Sequence, residues 1–517
     1  MKKVIKNNKY LLALIILIIV FFSSSLVLTF DSTHYLGFVD IFEKTKPFSS
    51  WDIVRGPVFP FILYVFDLLF GKSSFGMLLG MFIFYIAYCI IFYNFSTFVF
   101  QDSKKKNIWI PIVCAFVFFN PIILGYYHTM LTEFVAITIT SITLMMAWKW
   151  WQTDTKKSKI LYSAYFIVFT SISYFLKQPY ICTVLIPMLI SIIYGIIKDH
   201  SKKNILYYAS TFVLTVIFLL VSMTSWNMIL ERNGVNVNTG RDSSSMLSKQ
   251  LLNSIDAYKV KTVNDYENIQ KDKYLSKREK KEIKKVLKDN NSVFIISIYD
   301  KKKLLEKDYL KVTKNNHPSG KDTIIEIIKT FFKYPKLIIE THAKNYCALS
   351  SVCVIESEDG VMYHVTNQLD ILHLFENSYI PFKSFRNEEK VFDYPEERYE
   401  SVKYYVVQRN QGLISKVMTL TFVPTTLIFE FVILSLNIFL ILLLVFRIKN
   451  RKKLKKYNTY LLSFMMLSFS FITLMINDWV GSIIDRYAVI CFIPGLMGII
   501  GTIEFIKENN KTKRGRG

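Results

Sequence analysis

A chain of 517 residues that is 52% hydrophobic, with 43 Phe and 31 Tyr and with apolar runs recurring along its length, is not a large soluble enzyme but a polytopic helical membrane protein. The formal charge of +24 does not imply nucleic acid, because the Lys and Arg lie in short clusters between apolar runs, the pattern of membrane topology. Of the six Cys, Cys89, Cys114, Cys182 and Cys491 fall in apolar runs as small hydrophobes, Cys347 and Cys353 lie in a polar region where pairing stays open, and the seven His show no metal-ligand spacing.

The N-terminus is basic and is followed by an apolar run that continues to Phe30 without a cleavage pattern. This predicts an uncleaved first span, Leu11 to Phe30, with Lys2, Lys3, Lys6 and Lys9 cytoplasmic and Asp31 emerging outside. Residues 31–74 then form a first outer loop. Within it, Val58 to Phe70 is apolar but would make a helix of only about 20 Å against a hydrocarbon core of about 30 Å. As a juxtamembrane helix at the outer interface it leaves all later basic clusters inside; as a span it would invert them all.

Further spans are predicted over Phe75–Phe100, Ile108–Gly125, Thr132–Trp151, Ile160–Leu176, Tyr180–Ile197, Ile205–Trp226, Leu427–Phe446, Tyr457–Ile476 and Ala488–Ile506. Tyr126 to Leu131 is expected as a short outer loop. Residues 231–416 are polar and mixed in charge, with helical spacing at Leu275–Lys288 and Asp322–Lys333 and a strand pattern at Val293–Ile298. The expected architecture is therefore an all-α polytopic membrane protein of about ten transmembrane helices with both termini cytoplasmic. Residues 1–230 form an N-terminal membrane module, 231–416 a small extracytoplasmic α or α+β domain, and 417–517 the last spans and a basic tail.

Sorted by this topology, Asp31, Asp40, Arg55, Glu133, Lys177, Asp478, Asp485 and Arg486 gather at the outer ends of spans, and ionisable residues beside spans are usually functional. Asp31-Ser32-x-x-Tyr35-Leu36 after the first span and Arg55-Gly56-Pro57-x-x-Pro60 opening a short apolar helix resemble the start of the GT-C superfamily of integral-membrane glycosyltransferases. That superfamily includes the family-39-like protein O-mannosyltransferases and the aminoarabinose transferases. Leu69-Phe70-Gly71-x-Ser73, Asn120-Pro121, Leu131-Thr132-Glu133, and Asp485-Arg486-Tyr487 with Pro494 add to the likeness, which covers residues 1 to about 230 and, loosely, 457–506.

The resemblance implies juxtamembrane helices in the first outer loop and sugar transfer from a polyprenyl-phosphate donor to an extracytoplasmic acceptor at the outer face of the cell membrane. It makes Asp31 the general base and Glu133 a second acid positioning the acceptor or a metal, since a carboxylate can take the acceptor's proton as the sugar is attacked. Arg55, Lys177 and Arg486 become candidate phosphate contacts, with Tyr35, His34, His128 and Tyr487 as further substrate contacts. No particular cofactor is implied, and a divalent metal stays open: Ser32 follows Asp31 where the O-mannosyltransferases carry an Asp-Glu pair. The bland readings stand beside these. Asp31 merely ends a span in water, Glu133 answers a helix dipole, and Lys177 and Arg486 snorkel to headgroups. Rival functions are a lipid-linked-glycan flippase or transporter and a non-catalytic scaffold whose outer domain binds a partner.

Overall fold

The computed structural model describes residues 2–235 apart from 54, 102, 154, 199 and 200, and beyond them 237, 257–260, 277, 294–297, 417, 441, 457–480 and 488–514. Two compact units divide the chain, one made of Met1–Val235, Ser350–Thr473 and Asp485–Gly517, the other of Asn236–Leu349 and Leu474–Ile484. In the second unit the described structure includes an antiparallel pair, β1 (Ala257–Val260) and β2 (Phe294–Ser297), in the register Ala257 opposite Ser297. β2 lies within the stretch whose pattern predicts a strand. The rest of the expected outer domain, with Cys347 and Cys353, and the expected span 427–446 lie outside the described residues, single positions apart.

The described residues of the first unit are helical apart from short turns and the segment between the first two helices. Its elements are α1 (Lys2–Phe22), α2 (Phe30–Phe42), α3 (Val58–Phe70), α4 (Ser74–Val99), α5 (Lys106–Phe118), α6 (Pro121–His128), α7 (Thr132–Gln152), α8 (Lys156–Leu176), α9 (Cys182–Lys198) and α10 (Lys202–Arg232). The later helices are α11 (Tyr457–Val480), which begins in this unit, and α12 (Val489–Arg514). Among the described residues six helices are long and apolar enough to cross a membrane: α4, α7, α8, α9 with the turn before it, α10, and α12 over Val489–Lys507. The pair α5 and α6, bent by 44°, makes a seventh if counted as one span. The remaining three of the expected ten are 427–446 and the shorter apolar helices Leu11–Phe22 and Leu461–Ile476.

α7 sits at the centre and α10 at the edge. Along their apolar windows 78% of α7 is buried but only 17% of α10, whose exposed Leu206, Val213, Ile217 and Leu220 suit a lipid-facing surface. α7 carries three of its hydroxyls into this interior by returning them to its own backbone: Thr138 donates to the Phe134 carbonyl at 2.9 Å, Thr140 to Ala136 at 2.7 Å and Ser141 to Ile137 at 2.8 Å, while Thr143 pairs with the Tyr165 hydroxyl of the next helix at 2.8 Å.

The bend between α5 and α6 follows from Asn120-Pro121. Pro121 has no N–H for the Val117 carbonyl, and the Asn120 side chain accepts from the N–H groups of Ile122 and Ile123, diverting the former from Phe118. Two of the freed carbonyls are met from α4, where the Tyr88 hydroxyl donates to Val117 at 3.1 Å and the Tyr85 hydroxyl to Phe118 at 2.7 Å. α3 ends at Gly71, whose φ of 84° favours glycine, and Ser73 then caps α4 by accepting from the Gly76 N–H. At 13 residues α3 is indeed short; it buries Phe59, Leu63 and Phe66 against the bundle while Phe61, Leu68 and Leu69 stay exposed.

The first apolar run is not a single span to Phe30: α1 stops at Phe22, three serines follow, and α2 starts at Phe30. Ser23 turns its hydroxyl back to the Val20 carbonyl, and the backbone then runs extended beside the end of α6, with the Val27 N–H donating to His128 at 2.7 Å and the Met130 N–H donating to Val27 at 3.1 Å. Leu26, Val27 and Leu28 are apolar because this strap is buried, not because it is helical.

Candidate functional site

The strap delivers Asp31 into the first turn of α2, not into a loop. Ser32 fixes that turn: its hydroxyl accepts from the Thr29 N–H at 2.9 Å and donates to the Met130 carbonyl at 2.8 Å, tying α2 to the residues just before α7. The helix N-terminus favours a carboxylate at this position. Arg55 reaches Asp31 from the loop before α3; Nη2 donates to Oδ1 at 3.1 Å and Nη1 to the Tyr35 hydroxyl at 3.0 Å, with the guanidinium carbon 5.1 Å from the Tyr35 ring centroid. Both charged side chains keep partial exposure, 21% for Arg55 and 16% for Asp31.

Trp51 steadies this loop, although nothing but an indole four residues before the arginine hinted at it in the sequence. Its N–H donates to the Arg55 carbonyl at 2.9 Å, and its ring stacks on Phe38 and meets Trp226 of α10 edge-on. At Gly56 the chain presses so closely on α8 that a Cβ there would stand 1.9 Å from the Phe175 carbonyl oxygen.

Two residues beyond Phe175, Lys177 caps the C-terminal end of α8 and approaches Glu133, which occupies the first turn of α7. The Lys177 Nζ lies 3.8 Å from Glu133 Oε1, while the Thr132 hydroxyl donates to Oε2 at 3.2 Å. Glu133 is wholly buried. At 3.8 Å the lysine supplies charge rather than a hydrogen bond. The aromatic ring of Phe59 joins the two pairs, meeting Tyr35 edge-on at 4.7 Å and Phe134 at 5.8 Å. Asp31, Tyr35, Arg55, Glu133 and Lys177 therefore gather at one end of the bundle, as two acids each facing a cation.

Two further pairs lie on the same stretch: Lys46 with Asp40 at 2.9 Å and Lys72 with Glu43 at 2.7 Å. Burial alone would lower the Lys72 ammonium, but its hydrogen bond to Glu43 and the charges of Glu43, Asp40 and Asp67 outweigh this and raise it above 10.5. Among the described residues no three His, Cys, Asp or Glu side chains gather as a metal-ligand set; Asp31 and Glu133 each face a cation instead.

His34 is half-buried on α2 beside Tyr35. His128 is a correction. The expected outer loop Tyr126 to Leu131 is buried throughout and its first half is the end of α6, and His128 has no exposure, its two ring nitrogens each 2.7 Å from a main-chain carbonyl, Leu124 and Phe21. It closes the end of α1 onto α6 and is not placed to touch a substrate. Arg486 and Tyr487, the other expected contacts, lie outside the described residues. No family model, curated protein or solved structure matches the chain.

Proposed function

We propose that this chain is a membrane glycosyltransferase that moves a sugar from a polyprenyl-phosphate carrier to an acceptor at the outer face of the cell membrane. The observation that carries the reading is the partly exposed Asp31–Arg55 pair, set beside Tyr35 and the Glu133–Lys177 pair at one end of an apolar bundle. Supporting it is α3, whose outward side is as apolar as its inward one, which suits a helix lying against lipid where a polyprenyl chain would enter.

In this mechanism the donor phosphate competes with Asp31 for the Arg55 guanidinium, whose planar fork suits a phosphate's oxygens. Release from Arg55 lets the Asp31 carboxylate turn to the acceptor. The acceptor oxygen then attacks the sugar's anomeric carbon, its proton passes to Asp31, and the bond between that carbon and the phosphate oxygen breaks. Polyprenyl phosphate leaves with both bonding electrons, its charge held by Arg55. Lys177, 15% exposed, faces the acceptor side of the site, and the wholly buried Glu133 acts behind it by fixing that ammonium.

The test is donor consumption by purified protein in lipid nanodiscs, using a radiolabelled polyprenyl-phosphate sugar with an envelope extract as acceptor. Wild type should release polyprenyl phosphate and form a labelled product, and Asp31→Asn should lower the rate by about 10²–10⁴-fold while leaving a folded protein. Equal rates in the two, or no donor consumption by wild type, overturn the reading.

A further inference from the structure

At the opposite end of α7 from Glu133, a cleft of about 370 Å³ opens between α5 and α12. Both helices pack on α4. Trp109, Ile112 and Phe116 line one wall at helical spacing, and Leu496, Ile500 and Ile503 line the other. Ile112 and Ile503 are 51% and 45% exposed, so the cleft is open sideways rather than sealed inside the bundle.

One rim is charged. Lys507 bonds Glu504 at 3.1 Å, lies 5.9 Å from the Trp109 ring centroid, and still leaves 54% of its side chain exposed. Glu504, only 7% exposed, thus holds the ammonium over the cleft mouth without covering it. Lys105 and Lys106, which begin α5 one turn before Trp109, stand at the same end. From Leu496 to Lys507 the wall runs about 16 Å, close to half of a hydrocarbon core of about 30 Å. These are the dimensions of one leaflet, with cations and an indole where headgroups lie.

We infer that this cleft is a binding site for one anionic glycerophospholipid, an acyl chain lying between α5 and α12 and the phosphate on Lys507. The apolar walls take the chain from any phospholipid. Lys507, with the two lysines of α5, selects one with net negative charge.

Trp109 is the built-in reporter. In nanodiscs containing phosphatidylglycerol or phosphatidylcholine with brominated acyl chains, its fluorescence is read as the difference between wild type and Trp109→Phe. Brominated phosphatidylglycerol should quench more strongly than brominated phosphatidylcholine at equal mole fraction. Lys507→Gln should reduce that preference about fivefold, and Lys507→Arg should retain it. Ile500→Phe, which fills the cleft and leaves the cation, should weaken quenching by both lipids. Equal quenching by the two lipids in wild type, an unchanged preference in Lys507→Gln, or unchanged quenching in Ile500→Phe each overturns the assignment. So does an absence of quenching, which would mean that protein rather than lipid fills the cleft.

Discussion

Asp31 and Glu133 occupy the same local position, the second residue of a helix, and each faces a cation, yet they are set in different media. Asp31 shares a hydrogen-bonded pair with Arg55 in which both side chains keep some contact with solvent; Glu133 has no exposure and receives only charge from Lys177 at 3.8 Å. A half-solvated pair can exchange partners at small cost, whereas a desolvated one is expensive to break because the remaining charge is stranded. The difference separates a carboxylate suited to being released during a reaction from one suited to staying where it is.

The largest effect expected from this contrast is on Lys177. Lys177→Met removes the cation that faces the buried Glu133 and should cost about 3–5 kcal/mol of stability, against about 1–2 kcal/mol for Arg55→Met. Denaturant unfolding of the two variants in the same detergent decides it, and equal costs would erase the distinction. Next is Gly56→Ala. Its Cβ would collide with the backbone of Phe175, so α3 and α8 must part, at about 1–3 kcal/mol. If the two pairs form one site, this variant should also lose donor turnover, and full activity in a destabilised protein would show that they work apart.

The smallest effect belongs to Lys72→Gln, which removes a partly exposed pair with Glu43 and should cost under about 1 kcal/mol. Because the folded Lys72 ammonium is raised, the pair's contribution is complete below pH 10.5 and fades as pH climbs through the higher folded value. Wild type and Lys72→Gln should therefore converge in stability in strongly alkaline buffer. A gap that persists there would assign the cost to lost packing of the lysine stem.

Much of this was legible in the sequence. The common placement of Asp31, Arg55, Glu133 and Lys177 followed from topology, and the short α3 followed from its length. What hydropathy could not read was main-chain pairing between distant segments. Leu26, Val27 and Leu28 extend an apolar run, so they read as helix; they leave it because Val27 bonds to backbone about a hundred residues away. His128 reads as a polar residue near an outer loop, but its ring is used up by the carbonyls at the ends of α1 and α6. The three serines at 23–25 were the one available sign of the break.

The tyrosines of α4 bear on how the chain is built. In hydrocarbon, an unsatisfied carbonyl costs several kcal/mol, and the carbonyls of Val117 and Phe118 would be among those left so if residues 106–128 entered alone. α4 precedes them in the order of synthesis, so Tyr85 and Tyr88 are already in the bilayer when the kinked segment emerges from the ribosome. The segment is thus received by a neighbour that completes its backbone, and its insertion depends on the helix made just before it as well as on its own apolar content.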